Sequence, residues 1–228
     1  MKTAEQIVKI NEELAGKPTG EILRWCYAEF GSKLVMTSSF QTQSVPLLHQ
    51  ISVYAPKIRV LFLNTGFHFP ETLQFKDGLS NLLSLNIEEI ECEIGREGFE
   101  EKYGHLYTTN PNLCCQLNKV APLKLALKNA TAWVSGIRRD QTEVRAKADI
   151  VQLTAEGVIK VWPMLEWTAE KIRDYLSENH LPAHPLLNRG YLSIGCAPCT
   201  KPVNDTNNER IGRWLGSQKF ECGLHTEI

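Results

Sequence analysis

Three short apolar runs, separated by stretches of helical periodicity, constrain the fold of this chain most strongly. The runs KLVMTSS, IRVLFLNTG and AWVSGI are largely apolar until each ends in polar or small residues. Such runs are typical of strands buried on both faces, which form parallel sheets with helices covering each side. The chain of 228 residues is therefore predicted to be α/β, with a mostly parallel sheet and helices on both faces.

Cap signals and periodicity place the remaining elements. The runs IVQLT and VIKVWPM indicate a further strand pair, and IEEIECEI alternates like a half-buried strand. The stretch that holds Gly95, Gly98 and Gly104 is expected to be a loop. Helices are expected over Thr3 to about Leu14 with a Thr3/Gln6 capping box, about Thr19 to Phe30, about Ser44 to Val53, from Pro70, about Cys114 to Lys128, and from the cap Thr168 to about Glu178.

The near-neutral charge argues against several broad functions. A net charge of −1 and a pI of about 6.6 do not favour general nucleic-acid binding or attachment to an acidic membrane. The sequence shows no signal-peptide pattern and no bilayer-spanning run, so a cytoplasmic location is expected and a homo-oligomer stays open. Seven cysteines then favour metal ligands, catalytic thiols or core positions over disulfides. Cys26 and Cys92 follow apolar patterns and are expected in the core.

Polar segments after the predicted strands are expected to share one crevice, because such sheets bind ligands beyond the carboxyl ends of their strands. TSSFQTQS (37–44) combines hydroxyls with a helix start, which can cradle an anion, although an ordinary capped turn looks similar. GIRRDQTEVR places Arg138, Arg139 and Arg145 beyond another strand. Guanidinium groups match sulfate and phosphate oxygens, and a solvated charged loop is the alternative.

Two cysteine pairs form the strongest chemical signal. Cys114 and Cys115 are adjacent, and Cys196 and Cys199 form a Cys-x-x-Cys pair. Four thiolates of this kind suit zinc or an iron–sulfur cluster, and the adjacent pair favours a cubane with separated iron corners. Lys119, about one helical turn after Cys115, would place a cation beside that site unless it is a surface lysine.

The segment NERIGRWLGSQKFECGLH carries the last candidates. Cys222 with His225 suggests a nucleophile with an acid/base or anion-binding neighbour, and a harmless surface thiol is the alternative. Arg210 and Arg213 would share one face of a helix. We expect residues 209–228 to form a mobile C-terminal catalytic arm after a nucleotide-binding domain of residues 1–208.

Taken together, these motifs resemble the assimilatory adenylyl-sulfate reductases of the sulfonucleotide (APS/PAPS) reductase family, from about Lys33 to His225. The resemblance implies an adenine nucleotide α-hydrolase-like fold and a 4Fe–4S cluster. Gln41 replaces a common glycine of the family, and Asn64 a common aspartate. The implied roles are substrate binding by Ser38, Ser39, Phe40, Asn64, Thr65, Gly66, Lys119, Arg138, Arg139, Arg145, Arg210 and Arg213, cluster ligation by Cys114, Cys115, Cys196 and Cys199, and catalysis by Cys222 and His225.

The implied activity is reduction of adenosine 5′-phosphosulfate to sulfite and AMP in sulfate assimilation and cysteine biosynthesis. Cys222 would form an S-sulfocysteine that thioredoxin or a similar dithiol protein resolves, because no second cysteine stands near it in sequence. Three alternatives stay open. They are a reductase of the 3′-phosphorylated substrate, an ATP-splitting iron–sulfur tRNA thiolase, and a zinc-stabilised binding module.

Overall fold

The computed structural model describes residues 2–203, 208–217 and 219–228, and it contains one six-stranded sheet. The strand order is β3-β2-β1-β4-β6-β5. Neighbouring strands run parallel except β5, which pairs antiparallel with β6. The predicted sheet and the predicted strand pair are thereby confirmed. The strands are β1 Leu34–Thr37, β2 Arg59–Asn64, β3 Asn86–Glu91, β4 Ala132–Val134, β5 Val151–Leu153 and β6 Ile159–Val161.

Ten α-helices surround this sheet in the described part of the chain. The capping box of Thr3 and Gln6 and the cap at Thr168 are both present. The helices are α1 Ala4–Leu14, α2 Thr19–Phe30, α3 Val45–Tyr54, α4 Pro70–Leu83, α5 Gly95–Tyr103, α6 Leu106–Thr109, α7 Pro111–Cys115, α8 Ala121–Leu127, α9 Glu143–Ala146 and α10 Ala169–Glu178. None of them is long and apolar enough to cross a membrane.

Two local predictions need correction. The expected loop around Gly95, Gly98 and Gly104 is wrong, since Gly95–Tyr103 forms α5. Its charged residues are good helix formers, and the helix buries Phe99 completely. The single helix expected from Cys114 is instead α7 and α8 joined by a π turn at Gln116–Val120.

Strand residues alternate between two apolar clusters, one on each face of the sheet. In β2, Val60 and Phe62 pack in the larger cluster with α1, α2, α3 and α10, whereas Leu61 and Leu63 pack with α8. Trp133 of β4 belongs to the second cluster and is fully buried. Both faces are thus covered, which explains why the strands read as continuous apolar runs. Cys26 is buried in the first cluster as expected, and Cys92 is half-buried just after β3.

The sheet order reverses between β1 and β4. The strands β2 and β3 follow on one side of β1, and β4 and β6 lie on the other. Connections that leave two adjacent parallel strands in opposite directions open a crevice at their carboxyl ends. The segments after β1 and β4 are the hydroxyl-rich and arginine-rich segments singled out in the sequence.

Candidate active site

A cleft of about 1030 Å³, open to solvent, lies at this reversal point. Its walls come from the ends of β1, β2 and β4 and from the last third of the chain. Of the predicted site residues, it brings together Ser38, Ser39, Lys119, Arg145, Arg210, Arg213, Cys222 and His225. Four of these are cations, and no acidic residue is among the described residues that line the cleft. The electrostatic field therefore favours an anionic ligand.

The hydroxyl-rich segment forms one wall. Phe40 has a positive φ of 50° and turns its fully buried ring onto Phe62, with ring centroids 5.7 Å apart. Ser38 accepts a hydrogen bond from the Phe40 backbone N–H at 3.1 Å. This turn leaves Ser38 and Ser39 along the cleft and Phe40 in the core. Gln41 lines the cleft as well and accepts a hydrogen bond from the Ile194 N–H at 2.8 Å.

The turn after β2 points elsewhere. Asn64 donates to Glu89 and Glu91 of β3 at 3.0 and 2.7 Å, and its Oδ1 accepts from the Gly66 N–H. Thr65 lies 3.2 Å from the Cys196 sulfur through its hydroxyl. Gly66 has φ +72°, and a Cβ there would lie 2.7 Å from the Arg96 Cβ. Asn64 and Gly66 are therefore not among the described cleft residues, and Thr65 belongs to the neighbouring cavity.

The three arginines of the segment after β4 have different surroundings. Arg138 is fully buried and donates to Asp140 at 2.9 Å and to Glu209 at 3.1 Å. Arg139 donates to the Ala148 carbonyl at 2.7 Å and pairs with Glu166. Neither is among the described cleft-lining residues, so in this state both arginines are engaged within the protein. Arg145 does line the cleft.

The C-terminal arm lies folded over the cleft. Arg210 and Arg213 sit in turns, so the helical face considered for them is not formed. The Arg213 guanidinium lies over the Trp214 ring at 4.4 Å, and it fits because Gly195 has no Cβ to collide with it. Burial and the charge of Arg145 lower the pKa of Arg210 to about 10, which leaves it charged near neutral pH. The structure describes this one position of the arm, and its mobility stays a prediction. Residues 204–207, just before the predicted boundary at 208, lie outside the described residues.

His225 stacks on Trp133 with ring centroids 5.4 Å apart and an interplanar angle of 12°. Burial, together with the charges of Arg145, Lys160 and Arg210, lowers the pKa of His225 well below its usual value. The ring is therefore neutral at physiological pH.

His68, which the sequence reasoning missed, also lines the cleft. Its Nε2–H donates to the Leu63 carbonyl at 2.9 Å, so Nδ1 is an acceptor. Burial lowers the pKa of His68 to about 4, and the charge of Lys119 acts in the same direction.

Unsatisfied polar atoms concentrate in this cleft. Eight buried side-chain nitrogen or oxygen atoms of the described residues lack a hydrogen-bond partner, and six of them belong to cleft residues. The six are His68 Nδ1, Ser135 Oγ, Arg145 Nε, Arg210 Nε, Arg213 Nε and His225 Nδ1. Buried polar groups without partners are costly unless a ligand or water completes them. The cleft is thus built for a polar ligand.

A second, smaller cavity holds the four cysteines and adjoins the cleft. Cys114, Cys115, Cys196 and Cys199 all line this cysteine cavity, and Lys119 lines both spaces. No three described His, Cys, Asp or Glu side chains converge closely enough to hold a single metal ion. The thiols thus surround a volume rather than one point. A cluster with separated iron corners needs its sulfur ligands spread in this way.

The thiols and Lys119 influence one another electrostatically. Burial raises the pKa of Cys114 to about 12, and the neighbouring Cys115, Cys196 and Cys199 raise it further as their charges accumulate. Burial alone would lower the pKa of Lys119, yet Cys196, Cys115 and Cys222 raise it overall. Lys119 is therefore a permanent positive charge in the wall between the cysteine cavity and the cleft.

Comparison with known proteins decides the family. The model of the phosphoadenosine phosphosulfate reductase domain matches residues 33–202. The chain belongs to this family. Adenosine 5′-phosphosulfate reductase 2 of Bacillus subtilis is 40% identical over 210 residues, which cover 91% of this chain and 89% of that protein.

Two solved structures place the fold of this family member. The phosphate complex of a phosphoadenylyl-sulfate (PAPS) reductase from Candida auris aligns with a TM-score of 0.77 and 27% identity, covering 86% of this chain and 97% of that one. FMN adenylyltransferase of Candida glabrata, bound to FMN and an ATP analogue, aligns with a TM-score of 0.59 and 17% identity, over 90% of this chain and 73% of that one. The fold is thus shared with enzymes of adenine nucleotides, and the expected fold class is confirmed.

Some residues of the site escaped the sequence reasoning. Ser135 and His68 line the cleft, Trp133 supports His225, and Glu221 bonds to two cleft arginines. His68 and Ser135 follow predicted strands, so their position was the available signal. Glu221 gave a weaker one, since an acid beside a nucleophilic cysteine in an otherwise cationic segment is unusual.

Proposed function

We propose that the chain is an oxidoreductase that reduces adenosine 5′-phosphosulfate to sulfite and AMP in sulfate assimilation, on the route to cysteine. The observation that carries this proposal is the cleft itself. A thiol, four cations and six unsatisfied polar atoms converge at the reversal point of an adenine-nucleotide fold. The substrate is an anion with a sulfate joined to a nucleotide phosphate, which matches that environment. The name of the Bacillus subtilis relative supports the same substrate.

The first chemical step uses Cys222. Arg145, Arg210 and Arg213 neutralise the phosphosulfate and hold it in reach of the thiolate. The Cys222 sulfur attacks the sulfate sulfur, an S–S bond forms, and the bond between that sulfur and the bridging oxygen breaks. AMP leaves with the electron pair on its phosphate oxygen, and Cys222 carries a sulfonate group as S-sulfocysteine.

The second step requires a dithiol partner. One thiolate of thioredoxin or a similar protein attacks the Cys222 sulfur and releases sulfite, which forms a mixed disulfide. The partner's second thiol then attacks its own first sulfur and frees Cys222, so the dithiol supplies both electrons and becomes a disulfide. Movement of the C-terminal arm would open Cys222 to this partner.

His225 contributes as a neutral group in this scheme. Its lowered pKa means that it does not act as a stored positive charge near neutral pH. Stacked on Trp133, it can exchange a hydrogen bond with the bound anion through its unpartnered Nδ1. This places it as a contact to substrate on the arm that carries the nucleophile.

The cysteine cavity is proposed to hold a 4Fe–4S cluster. The fit rests on four thiols around one enclosed cavity and on Lys119, whose charge offsets that of the thiolates. When bound, the cluster would supply a fixed electrostatic centre next to the cation field of the cleft. Cys115→Ser is expected to lose iron, measured by elemental analysis and by the visible absorbance of anaerobically purified protein. Zinc without iron in the wild type would contradict the cluster.

The function is tested by mass spectrometry of the protein after incubation with substrate and without reductant. We expect one added sulfonate on the C-terminal peptide that contains Cys222, together with one AMP released. Release of AMP without this adduct, or an adduct on another cysteine, would contradict the proposed nucleophile. Steady-state rates on the 3′-phosphorylated nucleotide address the second candidate substrate, which the name of the Candida auris structure favours. A preference for that nucleotide would reassign the substrate and leave the mechanism intact.

A further inference from the structure

Glu221, the residue directly before Cys222, is bonded to both sides of the cleft. One carboxylate oxygen, Oε2, accepts from Arg145 at 2.7 Å and from Arg210 at 3.3 Å. The other, Oε1, accepts from the hydroxyl of Thr142 at 3.1 Å. The carboxylate is 12% exposed, so these bonds are shielded from water. Charge-assisted bonds in such surroundings are short and strong, which makes Glu221 the best-anchored side chain near the nucleophile.

Both arginines bind Glu221 with one end of the guanidinium and keep the other end free. Arg145 uses Nη2 for Glu221 and Nη1 for Gln141, whereas its Nε is buried without a partner. Arg210 uses Nη2 for Glu221 and for the Phe220 carbonyl, and its Nε is likewise unpartnered. Both arginines line the cleft, and Glu221 does not. The carboxylate therefore contacts them from outside the cleft and leaves donors for a ligand anion.

We propose that Glu221 is a positioning residue that couples the Cys222 thiol to the substrate-binding arginines. The two arginines hold the anion through their free donors and hold the residue next to the nucleophile through their Nη groups. One pair of side chains thus fixes both reactants, which is the condition for a short attack distance. This inference rests on the proposed function and extends it to a residue that touches neither substrate nor reacting atoms.

A competing role for Glu221 would be to block the anion site. A blocking carboxylate would have to leave before the anion binds, so its removal would tighten nucleotide binding. A positioning carboxylate can stay in place, so its removal would slow the chemical step and leave nucleotide affinity nearly unchanged. The two roles therefore separate when affinity and rate are measured on the same variant.

The test compares Glu221→Gln, Glu221→Asp and the control Glu227→Gln in the full-length, cluster-loaded protein. Glu227 is an exposed carboxylate on the same arm and forms no ion pair with the described residues. Two quantities are measured: the single-turnover rate of adduct formation on Cys222 at saturating substrate, and AMP affinity by calorimetry. For Glu221→Gln we expect the rate to fall by about tenfold or more, with AMP affinity within about threefold of wild type. Glu221→Asp should recover part of the rate, and Glu227→Gln should match the wild type.

A second measurement is independent of turnover. Alkylation of Cys222 by iodoacetamide, followed on its peptide, should be several-fold faster in Glu221→Gln because the arm has lost its carboxylate anchor. An unchanged adduct rate in Glu221→Gln overturns the inference, as does AMP affinity that falls in parallel with the rate. Tighter AMP binding in that variant would establish the blocking role instead. A wild-type protein that forms no adduct would overturn the proposed function and this inference together, whereas equal rates in wild type and Glu221→Gln overturn this inference alone.

Discussion

The two halves of the cleft are held in place by different forces. The strand-end half, formed by the segments after β1, β2 and β4, rests on fully buried side chains in both apolar clusters. The C-terminal arm rests mainly on polar contacts, among them Arg138 with Glu209 and Arg145 with Glu221. Lys160 adds a bond of 3.3 Å to the His225 carbonyl, and Leu224 packs at the edge of the second cluster.

This difference predicts how each half responds to conditions. Burial of apolar surface depends weakly on ionic strength, whereas partly exposed ion pairs weaken as salt screens them. The nucleophile belongs to the half with the more adjustable contacts. An enzyme whose thiol must face a nucleotide in one step and a protein in the next needs that arrangement.

The largest expected effect separates the chemistry from the scaffold. Cys222→Ser should abolish sulfite release, because serine lacks a comparable nucleophile, and should leave AMP affinity and the cluster nearly unchanged. Cys92→Ser, at a half-buried thiol outside the cleft, is the matched control and should stay active. Loss of AMP binding in Cys222→Ser would show that this thiol is structural.

The next effect concerns the strand-end half. Leu48 on α3 is fully buried, and Leu48→Ala should lower the free energy of unfolding by about 2–5 kcal/mol. Val53 on the same helix is 57% exposed, and Val53→Ala should change it by less than about 0.5 kcal/mol. Urea denaturation measures both. Alkylation of Cys222 below the transition should match wild type in both variants, and a faster rate in Leu48→Ala would mean that the arm depends on this core.

Acid should destabilise the strand-end half through its buried histidines. Burial lowers the pKa of His68 and of His184 to about 4, compared with an unfolded value of about 6.5. Between these values the unfolded chain binds more protons, so the free energy of unfolding falls as pH decreases from about 6.5 to about 4. Urea denaturation at several pH values measures this slope.

A variant tests the source of that slope. His184 accepts a hydrogen bond from the Leu186 N–H at 3.2 Å and contacts the Thr72 hydroxyl at 3.0 Å. His184→Gln should therefore show a smaller loss of stability on acidification than the wild type, whatever its stability at neutral pH. An identical slope in both proteins would assign the acid sensitivity to other groups.

The smallest expected effect is on the arm. Raising the ionic strength from about 0.05 M to about 0.5 M shortens the screening length severalfold and should accelerate alkylation of Cys222 a few-fold. The urea-induced unfolding of the strand-end half should change less over the same range. Alkylation of a small free thiol under identical conditions corrects for the reagent. A salt-independent rate would place the arm under apolar control and remove the contrast between the halves.

Sequence reasoning predicted the sheet and most helices because buried parallel strands and helix caps leave local patterns. Thr3, Thr168 and the runs around Val60 are examples in which local preference and final structure agree. The loop expected around Gly98 was wrong because glycine outweighed a helical pattern that the burial of Phe99 stabilises.

The site was predictable in part. The spacing of cysteines and the segments after strands identified the thiols, Arg145 and the serines that line the cleft. Nothing local indicated that Arg138 would be fully buried against Glu209, since that pair joins residues far apart in the chain. The same holds for Trp133 beneath His225. Contacts of this kind follow from the tertiary fold and not from spacing.

The π turn at Gln116–Val120 constrains the number of residues in this segment more than their identity. A π turn carries one residue more than the corresponding α-helical path. Deleting one residue would let the segment wind as an ordinary helix, and everything before the deletion would rotate by about 100° relative to α8. Cys114 and Cys115 would then face a different direction from Lys119. Single substitutions in this stretch should be far better tolerated than any insertion or deletion.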